Sequence, residues 1–195
     1  MLGLLITGLA LTGASHAAPS AERVASAPLP VEAEVLFSPD GGITQRVVAE
    51  VGAAKKSLVV MAYSFTSAPI AEAVVTAHRR GVVVEVLLDR TQRGSRYSSA
   101  DFLTRAGVAV WIDRKHPIMH NKVMVIDGAT VITGSFNFTK AAEEKNAENL
   151  LVLRSPELAA RYLAEFEKLK GMAEAAEGVD GAARLYQSTE TPLPQ

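Results

Sequence analysis

Four short runs of almost unbroken apolar character constrain this chain more than any other feature. They cover residues 58–63, 82–88, 108–112 and 123–126. Each is long enough for a strand and too short for a stable helix, and a strand without polar alternation must be covered on both faces. Segments of helical spacing lie between them. Ile43, Val47, Val51 and Ala54 form one apolar stripe, with a helix end expected near Lys55 and Lys56. Ser67 is placed to cap a second helix, with Pro69 in its first turn, Ile70, Ala73, Val74 and Ala77 on its buried face and Gly81 as its stop. A short helix is expected over 99–106. A last one opens at Ser155-Pro156 and buries Leu158, Tyr162, Phe166 and Leu169. Residues 34–37 and 147–153 add strands. The alternation predicts an α/β fold, an α/β/α sandwich around a mixed, mostly parallel β-sheet.

The chemistry concentrates in residues 119–139, MHNKVMVIDGATVITGSFNFT. Val123 to Ile126 reads as a buried strand, Asp127-Gly128 as a tight turn, and Thr130 to Thr133 as the returning strand. Side chains two apart on a strand share a face, so His120 and Lys122 should point the same way. If the chain stays extended past Gly134, Ser135 and Asn137 also share a face. Asp127 follows His120 by seven positions and should face away from it. An imidazole, an ammonium, a hydroxyl and an amide at one end of a hairpin suit a phosphate group. Asp127 reads more readily as a turn-holding carboxylate than as a reacting one.

This stretch resembles the signature of the phospholipase D superfamily, H-x-K-x4-D-x6-G-S-x-N. His120, Lys122, Asp127, Gly134, Ser135 and Asn137 fill every fixed place. The resemblance extends to Met61 through Thr66, to GSFNFTKAA from Gly134, and to Asn146-Ala147-Glu148-Asn149, and there it is similar to the small exported bacterial endonucleases of the superfamily. It covers about residues 34–170. It implies the same α/β/α sandwich, with catalytic residues His120, Lys122, Asp127, Ser135, Asn137 and Glu148. It also implies a homodimer with one active site at the interface.

The residues themselves support a shared site. An imidazole can attack phosphorus to give a phosphohistidine, but it cannot protonate the leaving oxygen in the same step. The chain carries one such signature, so a second histidine must come from a second copy. Glu148 lies in a strand expected beside the hairpin, and the resemblance implies that its carboxylate orients a histidine, its own or the partner's. No cofactor and no metal is expected. His116 with Asp127 or Glu148 could suggest a metal site, yet Pro117 interrupts the segment and Lys122 already supplies a cation. His78, beside Arg79 and Arg80, reads as helix-end stabilisation. Tyr63, Phe65, Phe136 and Phe138 could stack on bases, though core packing is the simpler role for most of them.

At 195 residues with net charge −1, no global basic field marks a nucleic-acid partner. The charge is uneven, however. Arg79, Arg80, Arg90, Arg93, Arg96, Arg105, Arg114, Lys115 and Lys122 face only Glu85, Asp89, Asp101 and Asp113 in the middle of the chain. Such a strip could follow a phosphate backbone or could be ordinary solvated surface. The chain contains no cysteine, which excludes disulfides, thiolate metal sites and a cysteine nucleophile.

Residues 1–17 read as a signal peptide ending at Ser15-His16-Ala17, although no lysine or arginine precedes the apolar run. Residues 18–32 read as a linker, 33–171 as the phospholipase D-like domain and 172–195 as a disordered tail. A periplasmic or secreted location follows. The expected activity is a metal-independent phosphodiesterase, a sequence-nonspecific endonuclease acting on DNA, with RNA as a second candidate substrate. Its rivals are a phospholipase D-type hydrolase of lipid head groups and an inactive nucleic-acid-binding relative.

Overall fold

In the computed structural model, residues 29–95 and 97–176 are described. The expected signal peptide, most of the linker and the chain beyond residue 176 lie outside them. The elements run β1 (Glu32–Ser38), α1 (Ile43–Ala53), β2 (Ser57–Ala62), α2 (Ala68–Arg79), β3 (Val83–Asp89), a 3-10 turn (Arg90–Gln92), α3 (Ala100–Arg105) and β4 (Ala109–Asp113). There follow β5 (Lys122–Ile126), β6 (Thr130–Gly134), α4 (Lys140–Glu144), β7 (Glu148–Arg154), α5 (Pro156–Lys170) and β8 (Glu174–Ala175).

The strands form one sheet in the order β1-β7-β6-β5-β2-β3-β4-β8. Alternate residues of each central strand feed opposite cores. Leu58, Val60, Val86, Val110 and Met124 pack against Ile43, Val47 and Val51 of α1, Ile70 and Val74 of α2, and Leu103 of α3. Val59, Met61, Leu87, Val123 and Val125 pack on the other face with Ala159, Phe166 and Leu169 of α5. The sandwich is therefore the expected one, with both faces of the middle strands covered.

The sheet is mixed, but the expected predominance of parallel pairing is corrected. Among the described strands, parallel pairing joins only β2-β3 and β3-β4. The β5-β6 hairpin reverses the chain, and β7, β1 and β8 all join antiparallel. The expected frayed tail is also corrected at its start. Residues 174–175 return to pair with Trp111 and Ile112 at the β4 edge, where unpaired strand groups offer a template.

Two helix boundaries differ from local expectation for traceable reasons. Helix α1 ends at Ala53, before the lysines, because the Asp127 carboxylate takes the backbone N–H groups of Lys55, Lys56 and Ser57. Its start has no local cap. Instead Glu143 of α4 accepts from the backbone N–H groups of Gly42 (3.0 Å) and Thr44 (2.6 Å), placing a carboxylate at the positive end of the helix. Ser67 sits at the N-cap position of α2 but makes no side-chain capping bond. Ser155 does cap α5, through the N–H of Leu158.

Candidate active site

All the expected site residues except Asp127 sit at one end of the sheet. The parallel strands β2, β3 and β4 end there, β6 ends there, and β5 and β7 begin there. Chain ends at a sheet edge free backbone and side chains to face outward, the usual place for ligands in open α/β sheets.

His120 was expected on the strand with Lys122. It lies instead in the loop before it, since β5 begins at Lys122. Pro117 carries no N–H, and the buried Asp89 holds the N–H of Met119 at 2.8 Å, so the approach to β5 stays irregular. The His120 ring is exposed and tilts against Tyr63, with ring centroids 4.6 Å apart. Tyr63 is tied into the same corner by its N–H, which donates to the Asn121 carbonyl at 2.8 Å.

Lys122 is 8% exposed. Its ammonium donates to the His120 carbonyl at 3.0 Å and stands 5.1 Å from the centre of the Tyr63 ring. Burial pushes the Lys122 ammonium below the usual lysine range, and the negative charge of Glu148 opposes that shift. A cation held in poor solvation next to an exposed imidazole is well placed to receive an anion.

On the neighbouring strands, Gly134 makes the geometry possible. Its φ of +153° and its approach to the Asn149 backbone leave no room for a Cβ. The N–H groups of Ser135 and Phe136 both donate to the Asn149 carbonyl, at 3.1 and 3.2 Å. Two residues thus oppose one, and the bulge turns Ser135 outward. The Ser135 hydroxyl donates to Glu148 at 2.6 Å and accepts from the Asn149 N–H at 3.0 Å. The other Glu148 oxygen takes the Asn146 side-chain amide at 2.9 Å. Phe136 and Phe138 alternate inward and are buried, as is Phe65, so these three pack the core. Asn137 lies between the two phenylalanines, and its Oδ1 is buried without a hydrogen-bond partner. An unpaired buried acceptor is uncommon enough to mark a place of chemical interest.

Among the described residues, Glu148 makes no bond to the His120 ring of its own chain; its partners are Ser135 and Asn146. Asp127 is absent from the corner, four strand residues away at the other end of β5. With φ of +52° it holds the turn and the start of β2. Burial would raise its carboxyl, but the N–H bonds from Lys56, Ser57 and Lys55 and the charge of Lys56 hold it below the ordinary aspartate range. Asp127 thus braces the turn and the start of β2, facing away from His120 as the parity of the strand anticipates. His116 pairs with Asp113 rather than with Asp127 or Glu148. Among the described residues no three metal-ligating side chains come together.

Sequence reasoning assigned no role to Asn146, whose amide holds Glu148, or to Gln92, whose side chain takes the Phe65 N–H at 3.1 Å. The Asn146-Ala147-Glu148-Asn149 segment was marked only by resemblance. Its partner Ser135 lies just past β6, in another segment of the chain, so no local pattern reveals that bond.

Fold and site together define a class: an α/β/α domain with an exposed histidine and a half-desolvated lysine at the strand ends, arranged for an anionic ester. The chain belongs to the phospholipase D-like family, for residues 47–170 match the family described as cardiolipin synthase, PLD-like domain. It is 42% identical over 127 residues to a protein named phospholipase D from Rickettsia felis, covering 65% of this chain and 64% of that one. It is 36% identical over 124 residues to a mitochondrial cardiolipin hydrolase from Xenopus laevis, covering 64% of this chain and 59% of that one. The chain thus spans less than two thirds of the length of these curated relatives. Among solved structures, Nuc from Salmonella typhimurium, described as a phospholipase D family member, superposes with a TM-score of 0.72 at 37% identity, covering 75% of this chain and 99% of Nuc. NucT from Helicobacter pylori has the same fold, with a TM-score of 0.70 at 23% identity over 75% of this chain and 100% of NucT.

Proposed function

We propose that this protein is a metal-independent phosphodiesterase, most specifically a sequence-nonspecific endonuclease that cleaves DNA, with RNA as a second substrate of the same chemistry. The observation that carries the reading is the corner itself. The exposed His120 imidazole lies beside a poorly solvated Lys122 ammonium, within the field of Glu148. In the first step the imidazole attacks phosphorus and the ester oxygen leaves. Lys122, Ser135 and Asn137 stabilise the charge on the non-bridging oxygens. The leaving oxygen takes its proton from an imidazolium, which the His120 of a second copy provides. In the second step water attacks the phosphohistidine and gives its proton to that same second imidazole. Both histidines return to their starting states.

Exposed apolar side chains beside the corner support pairing of two copies. Ile118, two residues before His120, is 58% exposed, and Phe37, opposite Asn149 in the β1-β7 register, is 63% exposed. The nuclease reading rests further on the resemblance to the exported endonucleases and on the likeness to Nuc, nearly all of which this chain covers. We further propose export through the N-terminal segment, which fractionation of cells with an antibody to the mature chain tests.

The decisive assay is supercoiled plasmid in excess EDTA. The wild-type protein nicks and linearises it, and the His120→Ala protein does not. A second reading follows from the names of the curated relatives, phospholipase D and cardiolipin hydrolase: the same chemistry on a lipid head group. Cardiolipin vesicles under the same conditions distinguish it. Release of phosphatidic acid with the plasmid left intact would replace the nuclease by a lipid hydrolase. An active monomer in light scattering would sink the shared site.

A further inference from the structure

The loop over residues 114–121 joins β4 to β5 and carries His120. Two buried carboxylates at adjacent strand ends hold it, Asp89 on β3 at 0% exposure and Asp113 on β4 at 1%. Asp89 takes the Met119 N–H. One oxygen of Asp113 takes the N–H groups of Lys115 at 2.8 Å and His116 at 3.1 Å. These bonds suffice to anchor the backbone. The other Asp113 oxygen does something the loop does not need: it lies 2.7 Å from Nδ1 of His116.

The His116 side chain is 40% exposed, yet a buried carboxylate fixes its orientation. With Nδ1–H given to Asp113, Nε2 is the ring atom left for another partner, and it donates when the ring is an imidazolium. Freezing a part-exposed side chain costs conformational entropy, which the bond to the buried Asp113 carboxylate offsets. The surroundings are cationic. Arg114 and Lys115 precede His116 and are exposed. Arg114 and Arg93 both approach the Glu174 carboxylate, at 2.9 and 3.7 Å.

From β5 through β2 and β3 to β4 is three strand spacings, on the order of 14 Å. A single phosphodiester held at Lys122 cannot reach that far. A polymer of phosphodiesters can. Building on the nuclease reading, we infer that the Asp113–His116 pair is a second phosphate subsite, which binds a non-scissile phosphate of a polynucleotide whose scissile phosphate lies at His120 and Lys122. It makes the site selective for polymers over isolated diesters.

The test uses the full chain at about pH 6 and two substrates, a fluorescent single-stranded oligonucleotide and bis(p-nitrophenyl) phosphate. His116→Ala raises KM for the oligonucleotide about tenfold, leaves its kcat near wild type and leaves turnover of the small diester unchanged. His116→Arg restores the low KM. In a His120→Ala background, His116→Ala lowers the salt dependence of oligonucleotide binding by about 0.7 in log–log slope, one phosphate contact. Equal losses on both substrates would mean that His116 merely positions the His120 loop, and unchanged kinetics on both would mean that it contacts nothing; either overturns the subsite. If wild-type protein turns over the small diester yet neither binds nor cuts the oligonucleotide, the nuclease reading itself fails, and the subsite with it.

Discussion

The two ends of β5 carry residues of one sequence signature and treat them in opposite ways. At its start, His120 is exposed and Lys122 is held in poor solvation against the aromatic ring of Tyr63. Past its end, Asp127 is saturated with backbone N–H groups and stabilised as a carboxylate. One end keeps its groups under-coordinated, which is what a reacting site needs. The other satisfies every demand, which is what a fold needs. A signature therefore need not be a list of catalysts, for one strand can carry the chemistry and the brace that sets it.

Mutation can break this contrast, with the largest effect at the reactive end. His120→Ala should lower plasmid nicking at least ~10⁴-fold, the loss typical of a covalent nucleophile, with an unchanged melting curve. Lys122→Met should cost on the order of 10²–10³ in kcat by removing the charge that stabilises the transition state. Its stability should stay level or rise, because the folded protein carries that ammonium at a desolvation cost; a clear drop in Tm would show that Lys122 is structural.

At the other end the signature should behave in reverse. Asp127→Asn should destabilise by about 1.5 kcal/mol, the low end for charged hydrogen bonds because these lie near the surface, while kcat changes less than about threefold. The pH dependence follows from the same carboxylate. Its folded pKa lies below the unfolded value, so its contribution is fully present above pH ~4 and is lost as pH falls through the folded pKa. Asp89 adds to this loss: burial would raise its carboxyl, but the bonds from Thr91 and Met119 and the charge of Arg90 hold it low. Thermal melts from pH 7 to pH 3 should therefore decline below about pH 4 in the wild type, and less steeply in Asp127→Asn. The smallest effect is expected at the remote cap, where Glu143→Gln should cost under about 1 kcal/mol, measured by urea unfolding.

Much of the fold was legible because the central strands are apolar on both faces and the helices keep a regular stripe, as with Ile43, Val47 and Val51. The direction of pairing was less so. The Asp127-Gly128 turn announced one antiparallel pair, but nothing local says that β7 and β1 continue the reversal. Strand β8 is two residues long and has no periodicity to read. At the site, fixed spacing brought forward His120, Lys122, Ser135 and Asn137, whose chemistry sits in adjacent sequence. The Ser135 hydroxyl on Glu148 and the Glu143 carboxylate on α1 join segments separated along the chain, and sequence pattern carries no trace of such bonds.

The Glu143 cap also sets an order of events during synthesis. Helix α1 is made early, but the carboxylate that completes its first turn lies 101 residues further along the chain. At ordinary elongation rates the helix start waits roughly 5–20 s for that residue to exist. Its edge neighbour β1 waits longer still, since among the described residues its pairing partner in the sheet is β7. The first strand and helix of the domain are therefore born without their closing contacts, and the segment that carries Glu148 is the one that finishes them.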